Sequence, residues 1–434
     1  MDSNTIRQKH RDHLLRCTAN YYEQPLVIVE GKGCYVTDLD GRKYLDFFGG
    51  ILTVSIGHAN ERVNGAIKIQ LDKITHTSTL YPTLPIVTLA EKLASVCPPG
   101  LSKCFFTASG TEADETAVML AQVHTGRQEI IALRHGYSGR SLLAQSLTAH
   151  SAFRAIQTQV AGIKHALAPY CYRCPMGRTY PACEVACAKD IEELIRTTTT
   201  GSVAALLVEP IQGVGGFITP PKEYLPTAVE IVRKYGGLFI CDEVQTGFGR
   251  TGGKMWGCEQ YGVTPDIMTM AKGIANGMPL GATVTTPEID ASMKHSSIST
   301  FGGNPVSCAA ALATLAVIEE EHLLKHAART GTLLRGGLEE LQRKHPKLIG
   351  DVRGMGLMQA IELVVDETQG NRTPNPQATL ALFEETRKRG LLIGKGGLHG
   401  NTIRIAPPLT VSEGDVAAAI RILDESFTVI TAAR

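Results

Sequence analysis

Several features that would settle a protein's class at once are missing from this sequence. It has no excess of either charge. The 43 Lys and Arg against 42 Asp and Glu leave a formal net charge of +1, so no global field recruits nucleic acid or an anionic membrane. It has no long apolar run. The longest, such as residues 204–208 and 238–241, fall far below the ~20 residues of a membrane span. Its opening stretch, MDSNTIRQKHRDHLLR, is charged throughout and lacks the apolar segment of a secretory signal. No internal repeat or low-complexity tract interrupts it. Eleven cysteines, an odd number in 434 residues, do not make a disulfide framework, so reduced thiols and a cytoplasmic location are expected. What remains is ordinary globular composition, 43% hydrophobic and 20% charged. That suits a large core, either as two or three domains or as one large unit with a smaller partner.

The chain opens on short strand-like stretches at 27–30, 34–38 and 44–47, separated by Gly31-Lys32-Gly33 and Asp40-Gly41 turn signals. Helical spacing follows over 61–74 and 87–96. Strand and helix patterns then alternate: strands at 103–107, 129–134, 204–209, 238–242 and 266–271, helices at 112–124 and 224–235. Such alternation implies a mostly parallel sheet with helices on both faces. A long Ala- and Leu-rich helix, 305–321, leads away from it. The remainder mixes helices at 322–344, 376–389 and 413–426 with strands at 358–363 and 402–405. The expected division is an N-terminal segment, 1–62, that belongs with a small domain, a large domain, 63–315, and a C-terminal α+β small domain, 316–434. One irregular stretch, 169–188, holds Cys171, Cys174, Cys183 and Cys187.

Three of the predicted strands run straight into charge. Residues 206–208 end in Glu209-Pro210, 238–241 in Asp242-Glu243, and 267–271 in Lys272-Gly273. One charged strand end is an ordinary exit into solvent. Three of opposite sign in one sheet point to a shared polar site, because a buried charge needs a partner and open parallel sheets bind ligands at strand carboxyl ends. Lys272 leaves an apolar strand into a glycine-rich turn, a setting that lowers an amine's pKa and suits a Schiff-base nucleophile. Pyridoxal phosphate is the cofactor that asks for such a lysine together with an acid at its ring nitrogen and a phosphate cradle. Asp242 supplies the acid. Ser109-Gly110-Thr111-Glu112-Ala113, between the 103–107 strand and its helix, offers the cradle at a helix N-terminus, although alone it reads as a capping sequence.

These residues carry a family resemblance. Ser109–Ala113, Glu209-Pro210-Ile211-Gln212-Gly213, the block DEVQTGFGRTG at 242–252, Ala271-Lys272-Gly273 and Thr300-Phe301-Gly302-Gly303-Asn304-Pro305 together resemble the class III (omega) aminotransferases. Their wording is nearest to the alanine–glyoxylate aminotransferase 2-like subgroup, over about residues 22–422. The resemblance implies a fold type I α/β architecture: a large domain with a mostly parallel seven-stranded sheet flanked by helices, plus a smaller α+β domain. It implies an enzyme moving an amino group from an amino acid or amine to a 2-oxo acid such as pyruvate, glyoxylate or 2-oxoglutarate by a ping-pong mechanism. A racemase, epimerase or dialkylglycine-type decarboxylase on the same scaffold is the alternative.

The resemblance also assigns roles. Lys272 is the cofactor-bearing lysine and the base, and Asp242 the carboxylate at the pyridine nitrogen. Gln245 is the partner of the phenolic oxygen. Ser109, Gly110 and Thr111 form the phosphate loop. Tyr137 stacks on one ring face and Val244 packs on the other, with Ser138 standing where the family usually has His or Trp. Thr300 reaches the phosphate of the neighbouring subunit, which implies a homodimer or a dimer of dimers. Arg404 binds a substrate carboxylate, and Glu209 neutralises it when the substrate has none. Tyr22 and Tyr81 fall where the family places aromatics over the substrate channel, or where an interface packs. No metal is implied. For the four loop cysteines, structural zinc, redox-sensitive thiols and disulfides all stay open, because spacings of two, eight and three residues match no common zinc motif.

Overall fold

A computed structural model of the chain describes residues 1–157 and 159–432. Its centre is a seven-stranded sheet in the order Lys103–Thr107, Gly281–Thr285, Ile267–Met270, Leu238–Asp242, Ala205–Val208, Ile130–Leu133, Ile163–Ala166. Gly281–Thr285 runs antiparallel to both of its neighbours, and the other ladders are parallel. Ile130–Leu133, Ala205–Val208 and Ile267–Met270 are buried at every residue, as strands covered on both faces must be. The two sheet members without a sequence signal explain themselves. Ile163–Ala166 is a half-buried edge strand carrying Lys and His, and Gly281–Thr285 is built of small residues.

Register brings the three charged strand ends together. Val208 pairs with Cys241, and Asp242 pairs with Thr269, so Glu209, Asp242 and Lys272 all emerge at one edge of the sheet. The first residues of the chain do not join this sheet. Strands Ile28–Lys32, Tyr35–Asp38 and Lys43–Asp46 form a second one, and Lys43–Asp46 pairs in parallel with Leu391–Leu392 from the far end of the sequence. A third, antiparallel sheet is built around Met358–Asp366 and Thr402–Ile405. Helix Pro305–Glu320, capped by the Asn304 side chain with proline in its first turn, links the large sheet to these C-terminal elements. Inside the irregular cysteine-bearing stretch lie one short turn of helix, Cys171–Arg173, and the start of helix Ala186–Thr198. Among the described residues no helix is long and apolar enough to cross a membrane.

Candidate active site

The cavity at the strand ends has a volume of about 330 Å³, within the usual range for a small-molecule site. Ser109, Gly110, Thr111, Tyr137, Glu209, Asp242, Val244, Gln245 and Lys272 all line it. The local sequence shows how each is aimed. Lys103–Thr107 delivers the chain to Ser109, whose side chain accepts from the Glu112 N–H and starts helix Gly110–Thr125. The first N–H groups of that helix therefore face the cavity with the positive end of its dipole. Gly139 closes over it. A Cβ there would sit 2.1 Å from Thr111 Oγ1, and its φ is +134°, so only glycine allows this approach. Gly213 similarly makes room for Gln245, 2.3 Å from where its Cβ would be.

Lys272 has φ +46°, a left-handed conformation that costs a lysine free energy and that surrounding structure must hold. It is the one lysine among the lining residues. Burial lowers its pKa, opposed by the Asp242 and Glu209 carboxylates. Asp242, 4% exposed, accepts from the Val244 N–H at 2.9 Å. Burial raises its pKa, while that N–H and Lys272 pull it back. A cationic ring nitrogen against Asp242 would keep it ionised. The Gln245 carboxamide oxygen is buried with no partner. An orphaned polar atom, a helix N-terminus and a lysine–aspartate pair in one cavity fit pyridoxal phosphate.

Glu209 does not touch Arg404. Its oxygens accept from the N–H of Tyr137 at 3.1 Å and of Gly213 at 2.8 Å, and burial followed by the Asp242 charge raises its pKa. Arg404, 4% exposed, donates from Nε to Lys395 O at 2.9 Å and from Nη1 to Gly213 O at 3.4 Å. Its guanidinium lies 4.8 Å from the centre of the Phe48 ring and 5.6 Å from that of Phe217. Glu209 and Arg404 thus have separate partners on the two sides of the Gly213 turn.

Four expected residues are not among those lining the cavity: Arg404, which is buried behind the Gly213 turn, and three others. Thr300 is exposed. Tyr81 is 66% exposed. Tyr22, with φ +69°, packs 5.7 Å from Phe383 and 5.8 Å from the Arg387 guanidinium, lining a separate cavity beside helix Pro376–Lys388. In the single chain the turn at Tyr22 thus seats the ring against that helix.

Sequence reasoning missed Asp114, a lining residue that is 1% exposed and accepts from Thr269 Oγ1 at 2.7 Å. A signal was there. Asp114 is the single acid on the buried stripe Ala113, Ala117, Val118, Leu120 and Ala121 of its helix, where a carboxyl needs a reason.

With that geometry in view, comparison with known proteins is direct. The description "Aminotransferase class-III" matches residues 17–427. The chain is 44% identical over 429 residues to alanine–glyoxylate aminotransferase 2 homolog 2, mitochondrial, of Arabidopsis thaliana, across 98% of this chain and 88% of that protein. It is 37% identical over 445 residues to the human alanine–glyoxylate aminotransferase 2, mitochondrial, across 98% and 86%. Among solved structures it is similar to a thermostable (S)-enantioselective omega-transaminase from Thermomicrobium roseum, with TM-score 0.90, 34% identity and 99% of both chains covered.

Proposed function

Because the chain belongs to the class III aminotransferases, and so is a pyridoxal phosphate enzyme that moves an amino group to a 2-oxo acid, we propose the following roles for its residues. Pyridoxal phosphate, when bound, supplies the carbonyl that takes up the amino group and an electron sink for the bond broken at the substrate's Cα. Lys272 Nζ, which burial favours in its neutral form, would move a proton between the substrate's Cα and the cofactor's C4′, from Cα to C4′ in the first half-reaction and back in the second. Asp242 keeps a proton on the ring nitrogen. Gln245 hydrogen-bonds the phenolic oxygen. Ser109, Gly110 and Thr111 hold the phosphate at the helix N-terminus, and Tyr137 and Val244 flank the ring. Arg404 takes the carboxylate of the 2-oxo acid through its guanidinium fork, with Phe48 and Phe217 fixing its plane.

The observation that carries this reading is Lys272 held at positive φ in one cavity with Asp242 and an open helix N-terminus. Alanine-type and β- or ω-amino acid donors are the proposed partners of pyruvate, glyoxylate or 2-oxoglutarate, supported by the names of the similar proteins. A donor panel run against each of the three acceptors tests it. Amino transfer to none of them would refute the assignment and favour racemisation or decarboxylation.

A homodimer with Thr300 completing the neighbouring site is part of the same proposal. Leu80, Tyr81, Leu84 and Phe301 are 64%, 66%, 77% and 64% exposed, and Asn304 donates to Thr75 O at 2.8 Å, so the two segments form one apolar surface that calls for a cover. Thr300→Ala is expected to weaken cofactor retention in a way that excess pyridoxal phosphate rescues. A sedimenting monomer with full cofactor content would contradict it. The division at 1–62, 63–315 and 316–434 is proposed on the same grounds, supported by the pairing of Lys43–Asp46 with Leu391–Leu392. A cytoplasmic location is supported by eleven unpaired cysteines. Since two similar proteins are named mitochondrial, cell fractionation is the deciding measurement.

A further inference from the structure

Nineteen residues, 167–185, join strand Ile163–Ala166 to helix Ala186–Thr198 with one short turn of helix among them, longer than an ordered connection usually runs without a device to hold it. The stretch is nevertheless well anchored. Tyr170 and Arg173 both donate to the Glu362 carboxylate, which also receives Arg353 Nη1 at 2.6 Å. Arg353 Nε in turn holds Gly216 O at 2.8 Å, at the end of the turn whose Gly213 O meets Arg404. The conformation of this connection therefore bears on the substrate-carboxylate site.

Beneath it is a small cavity of about 20 Å³, room for one atom-sized guest. Cys171, Cys174, Cys183 and Cys187 all line it, together with Arg178 and no carboxylate. We propose that these four thiols bind one zinc ion as a tetrahedral thiolate site that staples the connection and so supports the Arg404 pocket. Four thiolates around Zn²⁺ carry two net negative charges, and Arg178 on the cavity wall offsets part of them. Binding releases four thiol protons and involves no redox change. No three of the four sulfurs lie mutually within 4.8 Å, so they must close to the ~2.3 Å zinc–sulfur distance by turning side chains, Cys174 and Cys183 on irregular backbone and Cys171 and Cys187 on the helical turns that flank it. The group that does lie that close, Cys241, Glu243 and Cys258, is a poor rival. Its carboxylate already accepts from Thr246 Oγ1 at 2.5 Å, the Gly257 N–H at 2.9 Å and the Cys258 N–H at 2.7 Å.

The test is metal analysis of holoenzyme purified under reducing conditions. About one zinc per chain is expected, falling to near zero in Cys174→Ser and Cys183→Ser and retained in Cys258→Ser, with a lower Tm in the zinc-free variants. In wild-type protein a mercurial that titrates thiols should release zinc as it reacts, a readout that survives even if the variants fail to fold. Wild-type protein that is zinc-free and takes up none, iron in zinc's place, zinc retained by both loop variants, or disulfides mapped among the four cysteines would each overturn the proposal.

Discussion

Replacing Arg404 with lysine keeps the charge and removes the geometry, which makes it the sharpest probe of how the site holds a 2-oxo acid. The guanidinium is seated by one firm hydrogen bond, Nε to Lys395 O at 2.9 Å, and by the Phe48 and Phe217 rings. Its terminal nitrogens make a long, 3.4 Å contact with Gly213 O and meet the Tyr21 hydroxyl, neutral partners that a carboxylate can outcompete for the planar fork. Lysine has no Nε–H at that height and no plane to sandwich, so one of two parallel charge-assisted hydrogen bonds is lost and the remaining one is poorly aimed. At about 1.5–3 kcal/mol for a hydrogen bond to a charged group, the half-reaction with a 2-oxo acid should weaken by roughly 10- to 150-fold. The half-reaction with an amine lacking an α-carboxylate should change far less, since nothing in it needs the fork. Single-turnover measurements of each half-reaction, followed through cofactor absorbance, separate the two. Glu209→Gln is the companion variant. Two backbone N–H groups point at the carboxylate, and an amide can accept from only one of them without turning its NH2 against the other. A buried donor is then left unsatisfied at about 1–3 kcal/mol, and both half-reactions should suffer together. Arg404→Lys losing equally in both half-reactions would refute the carboxylate-fork argument.

Other substitutions follow from the same geometry. Lys272→Ala should abolish turnover while the fold persists, and borohydride trapping in the wild type should label Lys272 alone; label on any other lysine would move the site. Asp242→Asn should still capture the cofactor but slow the half-reaction about 10²–10³-fold, because an amide cannot keep the ring nitrogen protonated; near-normal turnover would place the acid elsewhere. His135 bears on acid stability. Burial, reinforced by the charges of His150, His399, Arg134 and Arg353, lowers its pKa to about 4 from 6.5, and its Nδ1 is buried without a partner. The unfolded chain takes up the proton first, so this contribution is complete above about pH 6.5 and is lost as the pH falls toward 4, by roughly 3 kcal/mol at most. A Tm-against-pH profile should flatten over that interval in His135→Asn, asparagine being tolerant of the +67° φ there; an unchanged slope would exclude His135 as the cause.

Much of the site could be read from the one-dimensional pattern, because it is written in local chemistry. Apolar strands that run into Glu209, Asp242 and Lys272, a Ser-Gly-Thr start to a helix, and a glycine-rich turn after the lysine are each contained within a few residues, and each carries its own physical reason. In the large sheet the strands that went unread are those whose local signal is weak: the edge strand Ile163–Ala166, with two polar residues in four, and Gly281–Thr285, made of small ones. Helices Ser3–His13 and Ala186–Thr198 and strand Ile349–Met355 also went unread.

Other features were decided by tertiary structure alone. That Glu209 rests on backbone N–H groups and not on Arg404 depends on where the Gly213 turn falls between them. That Arg404 is framed by Phe48 and Phe217 joins three segments, one near each end of the chain and one between. That four cysteines spread over 171–187 share one small cavity, and that Tyr22 packs against Phe383, are likewise invisible in spacing. Local sequence determines what a residue can do and which element carries it, through propensity, periodicity and capping over a turn or two. Which residues meet depends on strand order, register and the docking of elements hundreds of positions apart, and burial, which sets the charge states of Lys272, Asp242 and Glu209, exists only once they have met.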